Sequence, residues 1–288
     1  KWLMHSLPGT PFDEDKISSL SPAQQQQIYA SYGLDQPVYI QYFKYLGNVF
    51  QGDFGTSTLY SGQPVKSILA SRIVPSALVG IQAVLVGLAV GLVLGVVAAY
   101  KHNTPLDYLT MIVSVLGISV PNFVVAALLQ YLFGLKWGLL PVAYWESYAS
   151  SVLPSLALSF GVVAQIARFV RTEMLTVLQQ DYILMAKAKG LSPAKILMRH
   201  ALRNSMLPVL TILGAITVNV LTGSLAVESI YSVPGIGSLF VDTIKANDYS
   251  TILGLTVFYS AFYVVVILII DVLYCVIDPR IRLAPAKE

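Results

Sequence analysis

Residues 73–100 read IVPSALVGIQAVLVGLAVGLVLGVVAAY, with no Asp, Glu, Lys or Arg among them. A helix needs about 20 apolar residues to cross a bilayer, so this stretch is long enough to span. Four more charge-free stretches follow, at residues 108–135, 147–167, 204–227 and 249–270. The composition of the whole chain agrees: 56% of its 288 residues are apolar and only 11% are charged. With a mean hydropathy of +0.69, too few groups remain to face water all round, which excludes an ordinary soluble globule and a disordered chain. A net charge of +3 is too small to suggest a nucleic-acid partner, and one cysteine, Cys275, excludes an intrachain disulfide framework. The sequence predicts an all-α integral membrane protein.

Loop charges set its orientation. Residues 101–107, 168–203 and the tail from 278 together hold 11 basic and five acidic groups, against seven basic and nine acidic on the other side. The first side is therefore expected to be cytoplasmic, with five spans alternating and the C-terminus inside the cell. Residues 1–11 (KWLMHSLPGTP) resemble the end of a helix running into a breaker cluster. They are expected to close a truncated first span, making the intact protein a six-span one. Residues 12–70 follow as an external segment, 71–276 as the membrane domain and 277–288 as a cytoplasmic tail. Gly87, Gly91 and Gly95 recur every fourth residue, a small stripe that lets another helix approach closely. Asp271 directly follows the charge-free stretch 249–270 and is the one acid counted to a span rather than to either side. An intramembrane acid suggests function by default, but its place near the cytoplasmic end also suits anchoring at the interface.

Catalytic and nucleotide signatures are missing. The chain has no G-x-x-x-x-G-K-[ST] phosphate loop, and Gly235-Ile236-Gly237 does not complete a dinucleotide fingerprint. His5, His102 and His200 are scattered, with no Cys/His cluster for a metal. The informative stretch is residues 172–208, TEMLTVLQQDYILMAKAKGLSPAKILMRHALRNSMLP. It is basic and amphipathic, with Asp181 as a helix N-cap, Gly190 as a left-handed C-cap, and Ser192-Pro193 starting a second short helix. Two readings fit: an interfacial connector drawn to anionic lipid, or a docking element in which Ala186, Ala188 and Gly190 offer a close-approach surface. Arg168 and Arg171 sit at the same end of a span, as snorkelling anchors or as gate residues. On the outer side, Tyr231, Pro234, Gly235 and Gly237 favour a tight or re-entrant loop over residues 231–239, or an ordinary surface turn.

The stretch resembles the EAA loop of ABC-importer membrane subunits, in particular the oligopeptide/dipeptide permease family. The matching residues are Asp181, Tyr182, Ala186, Ala188, Lys189, Gly190 and Leu191, then Arg199, His200, Leu202, Arg203, Asn204 and Pro208. Leu184 stands where the broader family carries the Glu of its Glu-Ala-Ala, so no salt bridge is expected from that position. Further stretches match the same family. They are Gly52-Asp53-Phe54-Gly55-Thr56-Ser57 with Pro64-Val65, Arg72 and Pro75; Ser119-Val120-Pro121-Asn122-Phe123; and Leu153-Pro154-Ser155-Leu156. Arg168, Arg171, Met174 and Leu175, the run from Glu228 to Gly237, Asp248-Tyr249 and Asp278-Pro279-Arg280 complete them.

The resemblance implies a type I importer permease of the B type, pore-forming and not itself catalytic. It implies a homologous C-type permease, two cytoplasmic ATPase subunits carrying ATP and Mg, an external peptide-binding protein, and a bacterial cytoplasmic membrane. Coupling to the ATPase would fall to a loop at 172–203, through Asp181, Tyr182, Ala186, Lys187, Ala188, Lys189, Gly190 and Leu191. This chain would bind no cofactor or metal. A dipeptide, nickel or other small-solute importer of the same extended family remains open. A secondary peptide transporter is disfavoured by the lack of inverted repeats and of several midplane ionisable groups.

Overall fold

The computed structural model describes residues 20–31, 36–221 and 225–277. The expected helix end at 1–11 and the tail at 278–288 lie outside the described residues. Among the described residues all regular structure is helical, apart from one isolated bridge between Thr56 and Pro64. In order the helices are α1 (Pro22–Ser31), α2 (Val38–Phe50), α3 (Val65–Tyr100), α4 (Pro105–Ser119) and α5 (Asn122–Leu129). α6 (Val152–Leu178), α7 (Asp181–Ala188), α8 (Arg203–Leu221), α9 (Leu225–Ile230), α10 (Ile236–Lys245) and α11 (Tyr249–Ile277) follow.

Among the described residues four helical stretches are long and apolar enough to cross a membrane: Val65–Tyr100, Tyr148–Leu178, Pro208–Ile230 and Tyr249–Val272. The fifth expected span, 108–135, is not one straight helix. α4 and the stretch Asn122–Lys136 meet at a 102° bend. Pro121 has no N–H to donate and pushes the residue before it out of the helical region; Val120 accordingly sits at φ −83°, ψ 122°. Absence of charge marks the apolar run but is blind to such a backbone break. It also misplaces ends, since α3 begins at Val65 and carries Lys66 and Arg72 on its first turns.

The described residues fall into two units, one comprising those up to Val74 with Pro234–Ala261, the other Pro75–Val233 with those from Phe262 onward. In the larger unit α6 is central. The glycine stripe of α3 lies against it, because a Cβ on Gly91 would come 2.8 Å from Ile166 Cβ and one on Gly95 2.7 Å from the Ala167 carbonyl. Val162, Ile166, Val170 and Met174 of α6 then form a core with Ala99, Ala201, Val209 and Ile216. In the smaller unit the first turns of α3 and α11 share a core of Val65, Ile68, Leu69 and Leu255 with Ile236 and Leu239 of α10. Asp248 is buried just before α11, where Ser57 and Thr251 hydroxyls and the Thr251 N–H donate to its carboxylate.

Candidate functional site

The loop between α6 and α8 folds into a compact element. α7 starts after Gln180, which occupies the N-cap in extended conformation, so Asp181 stands at the first helical position instead of capping as expected. There its carboxylate still complements the positive helix end. The helix ends as expected at Gly190, whose φ is +74°. The Gly190 N–H donates to the Lys187 carbonyl at 2.9 Å and the Leu191 N–H to the Ala186 carbonyl at 3.3 Å. These two bonds define a Schellman motif, with its usual apolar contact made by Leu191. Ser192 caps the next turn, its hydroxyl accepting from the Lys195 N–H at 3.4 Å. The second helix is not short: Pro193–Lys195 runs through a π-helical stretch, Ile196–Leu202, directly into α8.

Ile183, Ala186 and Ile196 are buried together against Leu178 and Leu191. Ala186 therefore packs into the loop's own core and offers no surface to a partner, contrary to the expectation that it shares one with Ala188. The face turned outward carries Leu184 and Met185, 68% and 61% exposed, with Asp181, Lys187, Ala188 and Lys189. Met198 adds another exposed apolar side chain from the π-helical stretch. Tyr182 is tied rather than free, its hydroxyl accepting from Asn204 Nδ2 at 2.8 Å. The sequence pattern does not single out Leu184 and Met185 as the exposed apolar side chains of this loop.

Arg168 and Arg171, paired in the sequence reading, part company in the structure. Arg171 grips Asp107 at the start of α4 through Nε at 2.5 Å and Nη2 at 2.9 Å. Asp107 is 1% exposed and also accepts from the Asn103 N–H and His102 Nδ1, each at 3.0 Å. Arg168 is exposed, has no carboxylate partner among the described residues, and lines a cavity of about 230 Å³ with Ile118, Gln165, Phe169, Thr172 and Ile212. Nothing in the spacing of Asp107 and Arg171, 64 residues apart, signals their contact.

At the other end the loop is shorter than 231–239. Tyr231 is buried, its hydroxyl donating to the Ala126 carbonyl at 2.8 Å and its carbonyl accepting from the Tyr144 N–H at 3.0 Å. Ser232 takes a positive φ of 52° and Gly235 is the N-cap of α10. Gly237 lies inside that helix, so residues 236–239 are helical, not loop. Glu228, which the sequence marks only as the first residue of a matching run, is buried and accepts from the Ser76 hydroxyl at 2.7 Å. Among the described residues no three His, Cys, Asp or Glu side chains are grouped to hold a metal.

Solved ABC transporters share this helical fold. The methionine ABC transporter MetNI in an inward-facing form matches with a TM-score of 0.63 over 75% of this chain and 99% of that one, at 13% identity. The family model for the binding-protein-dependent transport system inner membrane component matches residues 91–283, and the chain belongs to that family. The dipeptide transport system permease protein of Lactococcus lactis subsp. cremoris is 43% identical, over 98% of this chain and 92% of its own length. That of Bacillus subtilis is 44% identical over 98% and 91%. The oligopeptide transport system permease protein of Escherichia coli K12 is 41% identical over 98% and 92%.

Proposed function

We propose that this chain is a pore-forming permease of an ATP-driven importer that carries di- and oligopeptides released by an external binding protein. The observation that carries the reading is identity above 40% to peptide permeases over 98% of the chain. Its partners on this reading are a homologous C-type permease, two ATPase subunits that hold ATP and Mg, and the binding protein. The loop 172–203 faces the cytoplasm with the C-terminus, and residues 12–70 lie outside. Each ATPase closure pushes on Leu184, Met185 and Ala188, with Asp181, Lys187 and Lys189 around them. α7 passes the push on because Gly190 and Leu191 lock its end and Tyr182 ties it to α8. Arg171 hands it to α4 through Asp107, while Arg168 and the loop from Tyr231 through Pro234, Gly235 and Gly237 stand towards the inner and outer gates. The chain does no covalent chemistry.

The test is reconstitution of the four-subunit complex in proteoliposomes with its binding protein and a labelled peptide. Uptake should require external binding protein and internal ATP. Uptake driven by an ion gradient without ATP would overturn the reading, and ATP-driven uptake of nickel in place of peptide would move the substrate.

A further inference from the structure

α2 carries no acidic residue and one cation, Lys44. At 3.6 residues per turn, Tyr39, Phe43, Leu46 and Phe50 fall within an arc of about 60°, with Tyr42 flanking it. Three of the four are strongly exposed, at 64%, 68% and 89% for Tyr39, Phe43 and Phe50, and Tyr42 is 48% exposed. Val38, Gln41, Tyr45 and Val49 fall on a different face and are less exposed. Gln41 is buried, with its amide donating to the Gln36 carbonyl at 2.8 Å. Burial pushes the Tyr45 phenol up to about 12. Lys44 and Asn48 lie far round the helix from the aromatic stripe and are exposed.

The chain leaving α2 is pinned at once. The Asp53 N–H donates back to the Asn48 carbonyl at 2.9 Å, and Phe54 packs on the core shared by the first turns of α3 and α11. The Val65 N–H, opening α3, donates to the Gly55 carbonyl at 3.0 Å. The Ser57 hydroxyl donates to Asp248, next to the start of α11. The end of α2 is thus held at the level where two membrane spans begin. Aromatic rings with apolar bodies and polar tips concentrate at that depth of a bilayer, and an uncharged aromatic stripe lying along it buries its area in the headgroup–acyl boundary.

We infer that α2 is an interfacial helix whose stripe of Tyr39, Tyr42, Phe43, Leu46 and Phe50 lies in the lipid at the membrane face where α3 and α11 begin. It anchors the segment before the first of these spans. Binding comes from apolar area, so it depends little on anionic lipid.

The test is spin-label accessibility in the assembled complex, with Cys275→Ser as background and Phe43→Cys, Asn48→Cys and Phe50→Cys introduced singly. The vesicles are phosphatidylcholine with or without phosphatidylglycerol, and each variant is first checked for ATP-dependent uptake. Labels at 43 and 50 should collide several-fold more with oxygen than with an aqueous nickel chelate, and the label at 48 should show the reverse, in both lipid mixtures. Equal aqueous access at 43 and 48 overturns the inference. So does a label at 43 shielded from both reagents, or shielded only after the binding protein is added, since either places protein on the stripe.

Discussion

Replacing Arg171 by Gln removes the guanidinium from a carboxylate that is 1% exposed. Breaking a buried pair by deleting one partner costs about 3–5 kcal/mol, because the surviving charge is left in a poor dielectric. Here the lower end applies. Asp107 keeps the Asn103 N–H and His102 at 3.0 Å each, and Arg171 is itself 17% exposed, so water can reach the gap. A loss of about 3 kcal/mol, roughly a hundredfold in the folded-to-unfolded ratio, is the expected outcome. Arg168→Gln, with no such partner, should cost under about 1 kcal/mol. The assay is thermal unfolding of the purified complex for Arg171→Gln, Asp107→Asn, the double variant and Arg168→Gln. The double variant should be more stable than the sum of the two singles requires, since neither partner then leaves an uncompensated charge. Equal stability of Arg168→Gln and Arg171→Gln, or strict additivity in the double variant, would refute the assignment of the pair.

Leu184→Glu with Met185→Glu should lower peptide uptake at least tenfold and reduce co-purified ATPase while leaving permease stability unchanged, whereas Lys187→Gln should do much less; pull-down alongside uptake checks both. Gly190→Ala meets no atom within 4 Å, so its cost is only that of a side chain at positive φ, about 1 kcal/mol. Gly190→Val should cost more and slow transport; limited proteolysis at the loop would report the loosening. Gly95→Val drives atoms into the Ala167 backbone carbonyl, 2.7 Å from the Cβ position, and should destabilise the α3–α6 contact by about 1–3 kcal/mol, read as a lower melting temperature.

The spans were legible because burial in lipid forbids charge over about 20 residues, a constraint written directly in composition. Gly190 and Ser192 were legible because a left-handed turn and an N-cap each need a particular residue type. The bend at Pro121 was in view too, but a count of charges does not register a missing N–H. The expectation that Ala186 and Ala188 share a surface fails on geometry alone: two residues advance a helix by about 200°, so one faces the loop core when the other faces out. That arithmetic would have moved attention to Leu184, four residues before Ala188 and on its side. The Asp107–Arg171 pair was beyond reach, since only the packing of α4 against α6 brings the two together.

On the proposed function, these details bear on how the push of an ATPase would be used. A helix of eight residues held only by its chain ends would tilt under load, and the displacement would be absorbed in the loop. α7 is instead fastened at three separate places. Its inner face is packed on Ile196 and Leu178, its C-terminus is locked by the Schellman bonds, and Tyr182 holds Asn204. Beyond it, the bidentate Arg171–Asp107 contact joins α6 to α4 near the same end. Packed cores and paired charges resist small deformations, so a load on Leu184 and Met185 moves these helices as a body instead of bending one of them. Arg168, without a carboxylate partner among the described residues and one turn of α6 from Arg171, would ride with that body at the rim of its cavity. A displacement of α7 would then reach the pore lining without a hinge between them.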